Sequence, residues 1–261
     1  MKICITFDDG RKSQLRFYKE TGLQGTYFIL PTYTDAKTTH PSLHKDNICT
    51  WDEVKQLAEH GEIGFHGHSV KSYNAWNDER IKKHMEKGIK LIQDNTGYSP
   101  ISFAYTEMKP GRIDLISQYC PYIRDYFWRD GSNPMCKYDD SGYQFRVNEF
   151  DVPIEFLGYR EKIYVGHPTR DIRYMLKRVG SLSEHFEYYV VIIHELDNAL
   201  IAVAKELAKH YKVITFKEIF KCKLYLVERI LQLVIKINRK WKFLLIQSFI
   251  SRHILQESLR N

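Results

Sequence analysis

Short runs of β-branched and aromatic residues alternate with stretches of helical periodicity from residue 2 to about residue 216, and this alternation constrains the fold more than any other feature. Extended runs are read at 2–7, 25–30 (GTYFIL), 62–65, 101–105, 122–128, 188–194 (YYVVIIH) and 211–216. Helical stretches fall at 13–21, closed by Gly22, and from Thr50 to about residue 60, where Glu53 sits at the capping-box offset from Thr50. Further helices are read at 78–96, with Ile81, Met85, Ile89 and Ile92 on one face, and at 112–119, 170–179 and 198–210. Residues 32–49 and 129–162 carry the Gly, Pro, Asn and Asp of irregular chain. The expectation is an α/β fold, a mainly parallel sheet or barrel with helices outside. In such folds the chemistry gathers at the C-terminal ends of the strands.

Charge divides the chain in two. Residues 221–261 hold nine Lys or Arg and two Glu, which accounts for the whole formal charge of +7 and leaves residues 1–220 neutral. A neutral domain lacks the positive field that nucleic acid would require. We therefore read two parts, a main domain over 1–220 and a basic amphipathic helical tail over 221–261. In the tail, 224–237 (LYLVERILQLVIKI) is too short and too charged to span a bilayer. The basic stretch around Trp241 suits an anionic membrane surface, a face of the domain, or a second subunit. Five cysteines without CxxC spacing fit a reducing compartment. Residues 1–7 run straight into a strand, so no leader is expected. The expected location is cytoplasmic, peripheral at the inner leaflet.

Three groups of residues could carry chemistry. Asp8 and Asp9 follow an apolar strand in TFDDG (6–10), where two buried carboxylates need a cation or hydrogen bonds to hold them. The alternative is an ordinary turn. His66 and His68 stand two apart in an extended segment and share a face, so both could reach one ion such as Zn²⁺. His194 follows the apolar run 190–193 and is a candidate general acid or base, or else a satisfied structural histidine.

Taken in order, the three groups resemble the NodB-homology polysaccharide deacetylases (carbohydrate esterase family 4). TFDDG matches that family's first motif in full. Glu62, Ile63, Gly64, His66 and Ser69 match its second, and Ile192 and His194 match its last. The resemblance implies an irregular (β/α) barrel of the NodB type over roughly residues 1–220. It implies Asp8 as general base, Asp9 and His66 as ligands of a divalent metal (Zn²⁺ or Co²⁺), and His194 as the acid that protonates the leaving amine. It also implies an oxyanion contact from a backbone N–H near Tyr105 and a pocket for the acetyl methyl lined by Ile192. The expected reaction is hydrolysis of an N-acyl, most simply N-acetyl, group of an amino sugar in a glycan or a lipid-linked precursor.

The sequence departs from the family at three places. Val70 stands where the second histidine of H-x-x-x-H belongs, and His68 is the expected substitute, against a two-residue site, a ligand from elsewhere or a lost metal. The third motif reads FAYTEM (103–108) without the arginine of R-x-P-Y-G, so no motif supplies an Arg–Asp pair to tune the base. Asp125 and Trp128 stand for the fourth motif, with Trp128 as a substrate contact. These departures also suit a second class of function, a catalytically inactive carbohydrate-binding protein on the same fold.

Overall fold

The computed structural model describes residues 1–34, 45–67, 73, 76–106, 112–124, 138–139, 142–143, 163–184 and 186–219. His68, Val70, Asp125, Trp128 and the tail 221–261 lie outside the described residues. Met1–Ile219 forms one compact unit.

The strands are β1 (Lys2–Phe7), β2 (Gly25–Ile29), β3 (Gly61–Phe65), β4 (Ser102–Ala104), β5 (Tyr122–Arg124), β6 (Tyr138–Asp139), β7 (Gly142–Tyr143), β8 (Ile163–Gly166), β9 (Tyr188–Ile193) and β10 (Lys212–Ile214). The helices are α1 (Arg16–Thr21), α2 (Trp51–Glu59), α3 (Asp78–Thr96), α4 (Ile113–Ile116), α5 (Ile172–Leu182) and α6 (Asn198–His210). Eight strands form one sheet, seven in the order β5-β4-β3-β2-β1-β9-β8 and β10 off that path against β1, and every pairing in it is parallel. β10 pairs with the first half of β1, opposite Lys2 to Cys4, whereas β2 meets only its end at Thr6 and Phe7. β6 and β7 form a separate antiparallel pair. The result is a half-barrel of parallel strands with helices outside, the NodB-type (β/α) barrel expected from the sequence.

Local signals explain the element boundaries. Thr50 and Glu53 make a reciprocal capping box at the start of α2. Asn77, Asp171 and Asp197 accept from backbone N–H groups at the starts of α3, α5 and α6. The stretch 13–21 splits into a 3₁₀ turn (Lys12–Leu15) and α1, and the helix expected at 112–119 shortens to α4. β6 and β7 lie within the stretch expected to be irregular, and β8 lies in no expected element.

Both faces of the sheet are buried, but they differ in chemistry. One set of alternate positions (Ile3, Ile5, Phe7, Tyr27, Ile29, Ile63, Phe65, Phe103, Ile123, Val191) forms a single apolar core with Phe17, Val54, Ile81, Met85 and Leu200 of the helices. The other set is mixed: Thr6, Thr26, Glu62, Ser102 and Arg124 are buried there among Cys4, Phe28, Ala104, Val190 and Ile192. Strand pleating sends successive residues to opposite faces. The helix-facing side therefore supplies the hydrophobic driving force, and the barrel interior carries the polar groups.

Glu62 anchors the lower part of that interior. It accepts from Thr26 Oγ1 at 3.1 Å, from Ser102 Oγ, and from the Lys217 backbone N–H at 2.8 Å, while Thr26 Oγ1 accepts from the Phe216 N–H at 2.8 Å. Burial raises its carboxyl pKa, and these donors offset part of that rise.

Candidate active site

Five of the candidate residues sit where a strand runs out. Asp8 and Asp9 follow β1, His66 follows β3, Tyr105 follows β4, and His194 follows β9. β1 is flanked by β2 and β9, and β3 lies next to β2. The sheet order thus brings together residues up to 186 positions apart in the chain.

The turn after β1 is sharp. Asp9 (φ 72°) and Gly10 (φ 68°) both lie in the left-handed region, which glycine enters freely and aspartate tolerates better than most residues. This turn sends Asp8 and Asp9 in different directions, and a guanidinium meets each of them.

Arg124 Nη2 donates to Asp8 Oδ2 at 2.6 Å, and its Nη1 donates to Thr6 Oγ1 at 2.7 Å. The guanidinium lies over the Phe28 ring, 4.6 Å from the centroid. Burial alone would raise the Asp8 carboxyl, but Arg124, aided by His66 and His194, outweighs it and holds the group well below the usual carboxylate range. Asp8 is therefore ionised at neutral pH. Its Oδ1 is buried and has no hydrogen-bond partner among the described residues.

Arg11 holds the second aspartate. Its Nε and Nη2 both donate to Asp9 Oδ2, at 3.1 and 2.8 Å, and its Nη1 donates to Glu195 Oε1 at 2.5 Å. Ser13 Oγ donates to Glu195 Oε2 at 2.9 Å and accepts from the Leu196 N–H at 3.1 Å. Gln14 Nε2 bridges the carbonyls of Asp8 and His194, at 2.7 and 3.0 Å. The loops after β1 and β9 are thereby tied together.

His66 is buried, and its Nδ1 lies 2.9 Å from the Ala104 carbonyl, which can only accept. Its Nε2 therefore faces the aspartates, 3.7 Å from Asp8 Oδ2 and 3.7 Å from Asp9 Oδ1. His194 is more open, with its side chain 39% exposed, and its Nε2 lies 3.9 Å from Asp8 Oδ2. Gly64 makes room for this arrangement, since a Cβ there would come within 2.5 Å of the Phe28 ring on which Arg124 rests.

The donor chemistry fits a divalent cation. Asp9 Oδ1 and His66 Nε2 face one another, a carbonyl fixes the histidine from behind, and Asp8 Oδ1 is buried without a partner among the described residues. Among the described residues no three acidic, histidine or cysteine side chains already form a complete cage. The further ligand expected from sequence, His68, lies outside them.

Tyr105 and Ile192 are the other two described candidates. The Tyr105 ring is 5% exposed and packs edge-on against Phe103 and Tyr73 in the helix-facing core, so only its backbone stands at the strand end. Ile192 is 1% exposed, and its carbonyl lies 3.1 Å from His167 Nδ1.

Sequence reasoning missed Arg124, Arg11 and His167. His167 follows β8, and its ring stacks on His194 with centroids 5.6 Å apart and planes 24° apart. Burial, then the proximity of His194, lowers its pKa to about 4. The available signal for His167 was an apolar run (163–165) ending in Gly-His-Pro, similar to the run before His194. For Arg124 it was a lone arginine in an otherwise extended segment.

The parallel half-barrel thus gathers paired carboxylates and histidines at its strand ends. Residues 1–111 match the family model for polysaccharide deacetylase. The resemblance to the NodB-homology deacetylases drawn from the motifs therefore holds, with those residues as the part that matches. No curated protein matches the chain. Among solved structures, the Xyl-CE4 domain of a multidomain xylanase from the hindgut metagenome of Trinervitermes trinervoides is similar at 12% identity, covering 85% of this chain and 90% of that one, with a TM-score of 0.51. Peptidoglycan deacetylase PdaC from Bacillus subtilis is similar at 15% identity, with 88% and 95% covered and a TM-score of 0.50. The BpsB deacetylase domain from Bordetella bronchiseptica matches at 17% identity and a TM-score of 0.38, over 44% of this chain, which spans 60% of that domain's length. For the xylanase domain and the peptidoglycan deacetylase, the likeness at these identities is one of fold.

Proposed function

We propose that this chain is a metal-dependent hydrolase that removes an N-acyl group, most simply N-acetyl, from an amino sugar of a glycan. The observation that carries the reading is the placement of Asp8 Oδ2, 3.7 Å from His66 Nε2 and 3.9 Å from His194 Nε2, at the mouth of the half-barrel. A base, a ligand and an acid then surround one point.

In this reading Asp8, kept ionised by Arg124, takes a proton from water as the water oxygen adds to the acyl carbon. His194, open to the cleft, gives a proton to the sugar nitrogen as the C–N bond breaks, releasing a carboxylic acid and a free amine. A divalent cation (Zn²⁺ or Co²⁺) on Asp9, His66 and His68 would supply Lewis-acid polarisation of the acyl oxygen and a lowered water pKa. Ile192, on β9 two residues before His194, is assigned to the acetyl methyl, and the Tyr105 backbone to the oxyanion.

The basic tail supports a finer reading, in which the substrate is a lipid-linked precursor and the protein lies peripherally on the cytoplasmic face of a membrane. None of the described helices is long and apolar enough to cross a membrane.

The test is acetate release from N-acetylglucosamine oligomers with added Zn²⁺ or Co²⁺. The wild type is expected to release acetate, and Asp8→Asn and His194→Ala to lose at least about 100-fold in rate. Oligomer binding without acetate release would favour the inactive carbohydrate-binding protein.

A further inference from the structure

We infer that Arg11 and Glu195 form a charge-neutral clamp that sets the metal affinity of Asp9, with both acting as positioning residues; this rests on the metal-dependent reading above. The geometry is specific. Both Arg11 donors to Asp9 fall on Oδ2, at 3.1 and 2.8 Å, which leaves Oδ1 clear and turned toward His66 Nε2. A lone carboxylate on a left-handed turn could rotate either oxygen toward the ion, and two donors on one oxygen fix that choice.

A guanidinium in that position carries a cost, because its positive charge repels the cation that Asp9 is meant to hold. Glu195 removes most of that cost. Its Oε1 accepts from Arg11 Nη1 at 2.5 Å, and its Oε2 accepts from Ser13 Oγ at 2.9 Å, so the carboxylate is fixed against the far side of the guanidinium. Arg11 and Glu195 together contribute orientation and almost no net charge. Arg11 is mostly covered (16% exposed) and Glu195 is half open (48%), so a change at Glu195 alters charge with little disturbance of packing.

Zinc titration calorimetry on the full chain separates the possibilities, at low and high salt, for wild type, Glu195→Gln and the double variant Arg11→Met with Glu195→Gln. Glu195→Gln leaves the guanidinium uncompensated, and its affinity is expected to fall about tenfold at low salt, with the gap narrowing at high salt. The double variant restores the net charge but releases Asp9, and is expected to lose about 10- to 100-fold at both salt levels. Thermal melts of both variants confirm folding. Tight wild-type binding with unchanged affinity in Glu195→Gln overturns the clamp and leaves the metal-dependent reading standing. Absence of zinc and cobalt binding in the wild type overturns that reading itself, and the clamp with it.

Discussion

Arg124 and Asp8 stand 116 residues apart in the chain, and Nη2 of the one donates to Oδ2 of the other at 2.6 Å inside the barrel. Their strands are not neighbours, since β5 lies at one edge of the sheet and β1 four strands away. The guanidinium reaches across the interior of the half-barrel, supported by the Phe28 ring and by Thr6. An arginine from β5 thus supplies the charge that the third motif lacks.

Removing that partner leaves a buried carboxylate uncompensated. Arg124→Met is expected to destabilise the protein by about 3–5 kcal/mol, read from urea denaturation at pH 7. The pH dependence carries a second signature. Because the Asp8 pKa is depressed in the fold, its contribution is fully present above the unfolded carboxylate pKa and is lost as the pH falls below it. The stability gap between wild type and variant should therefore be wide at pH 7 and close below about pH 4. A gap of constant size would show that Arg124 acts through packing alone.

The contrast between Asp8 and Arg124 shows what a sequence of this kind discloses. TFDDG and His66 are local: an acidic pair or a histidine directly follows a strand, and a strand end is where such residues serve chemistry. Arg124 is equally well placed, but its partner is fixed by sheet order, which periodicity does not reveal. β9 (YYVVII) is buried at every position, so its pattern gives no alternation from which to separate the helix-facing side from the interior. The polar interior of Thr6, Thr26, Glu62 and Ser102 was hidden for the same reason. β8 escaped because four residues bordering an irregular stretch give too short a pattern to read.

His167 predicts an acid-sensitive fold. Its ring is held mainly by burial, and then by the nearby His194, at a pKa of about 4, whereas the unfolded chain's imidazole titrates near 6.5. The unfolded state then binds a proton that the native state refuses, so stability falls as the pH drops from about 6.5 to about 4, by about 3 kcal/mol in all. Glu62, whose pKa is raised in the fold, works in the opposite sense above its ordinary value of 4.5 and must be present in both proteins compared. Urea midpoints of wild type and His167→Phe at pH 7 and pH 4.5 isolate the histidine. The variant should lose less stability than wild type across that interval, and equal losses would assign the acid sensitivity elsewhere.

Gly64 connects backbone to active site without touching substrate. An alanine Cβ there would sit 2.5 Å from Phe28 Cδ1 and 3.3 Å from the Ser102 carbonyl oxygen, too close for either to remain in place. Phe28 cannot retreat freely, because Arg124 lies on it and Phe216 packs edge-on at 5.9 Å. Gly64→Ala is expected to cost about 1–3 kcal/mol in thermal or urea denaturation. It should also disturb the Arg124–Asp8 pair, which the same pH-dependent comparison used for Arg124→Met would detect.

The ligand set yields the sharpest contrast between neighbouring residues. His66 is fixed from behind by the Ala104 carbonyl and faces Asp9 Oδ1, so His66→Ala and Asp9→Asn should each weaken zinc binding by at least about tenfold. His68 is assigned the place that Val70 cannot fill. If it ligates, His68→Ala should lose affinity to the same degree, and Val70→His in that background should recover it. Were His68→Ala to bind zinc as tightly as wild type, the third ligand would come from another segment. Asp8, whose Oδ1 has no partner among the described residues, would then be the first residue to test by substitution with asparagine.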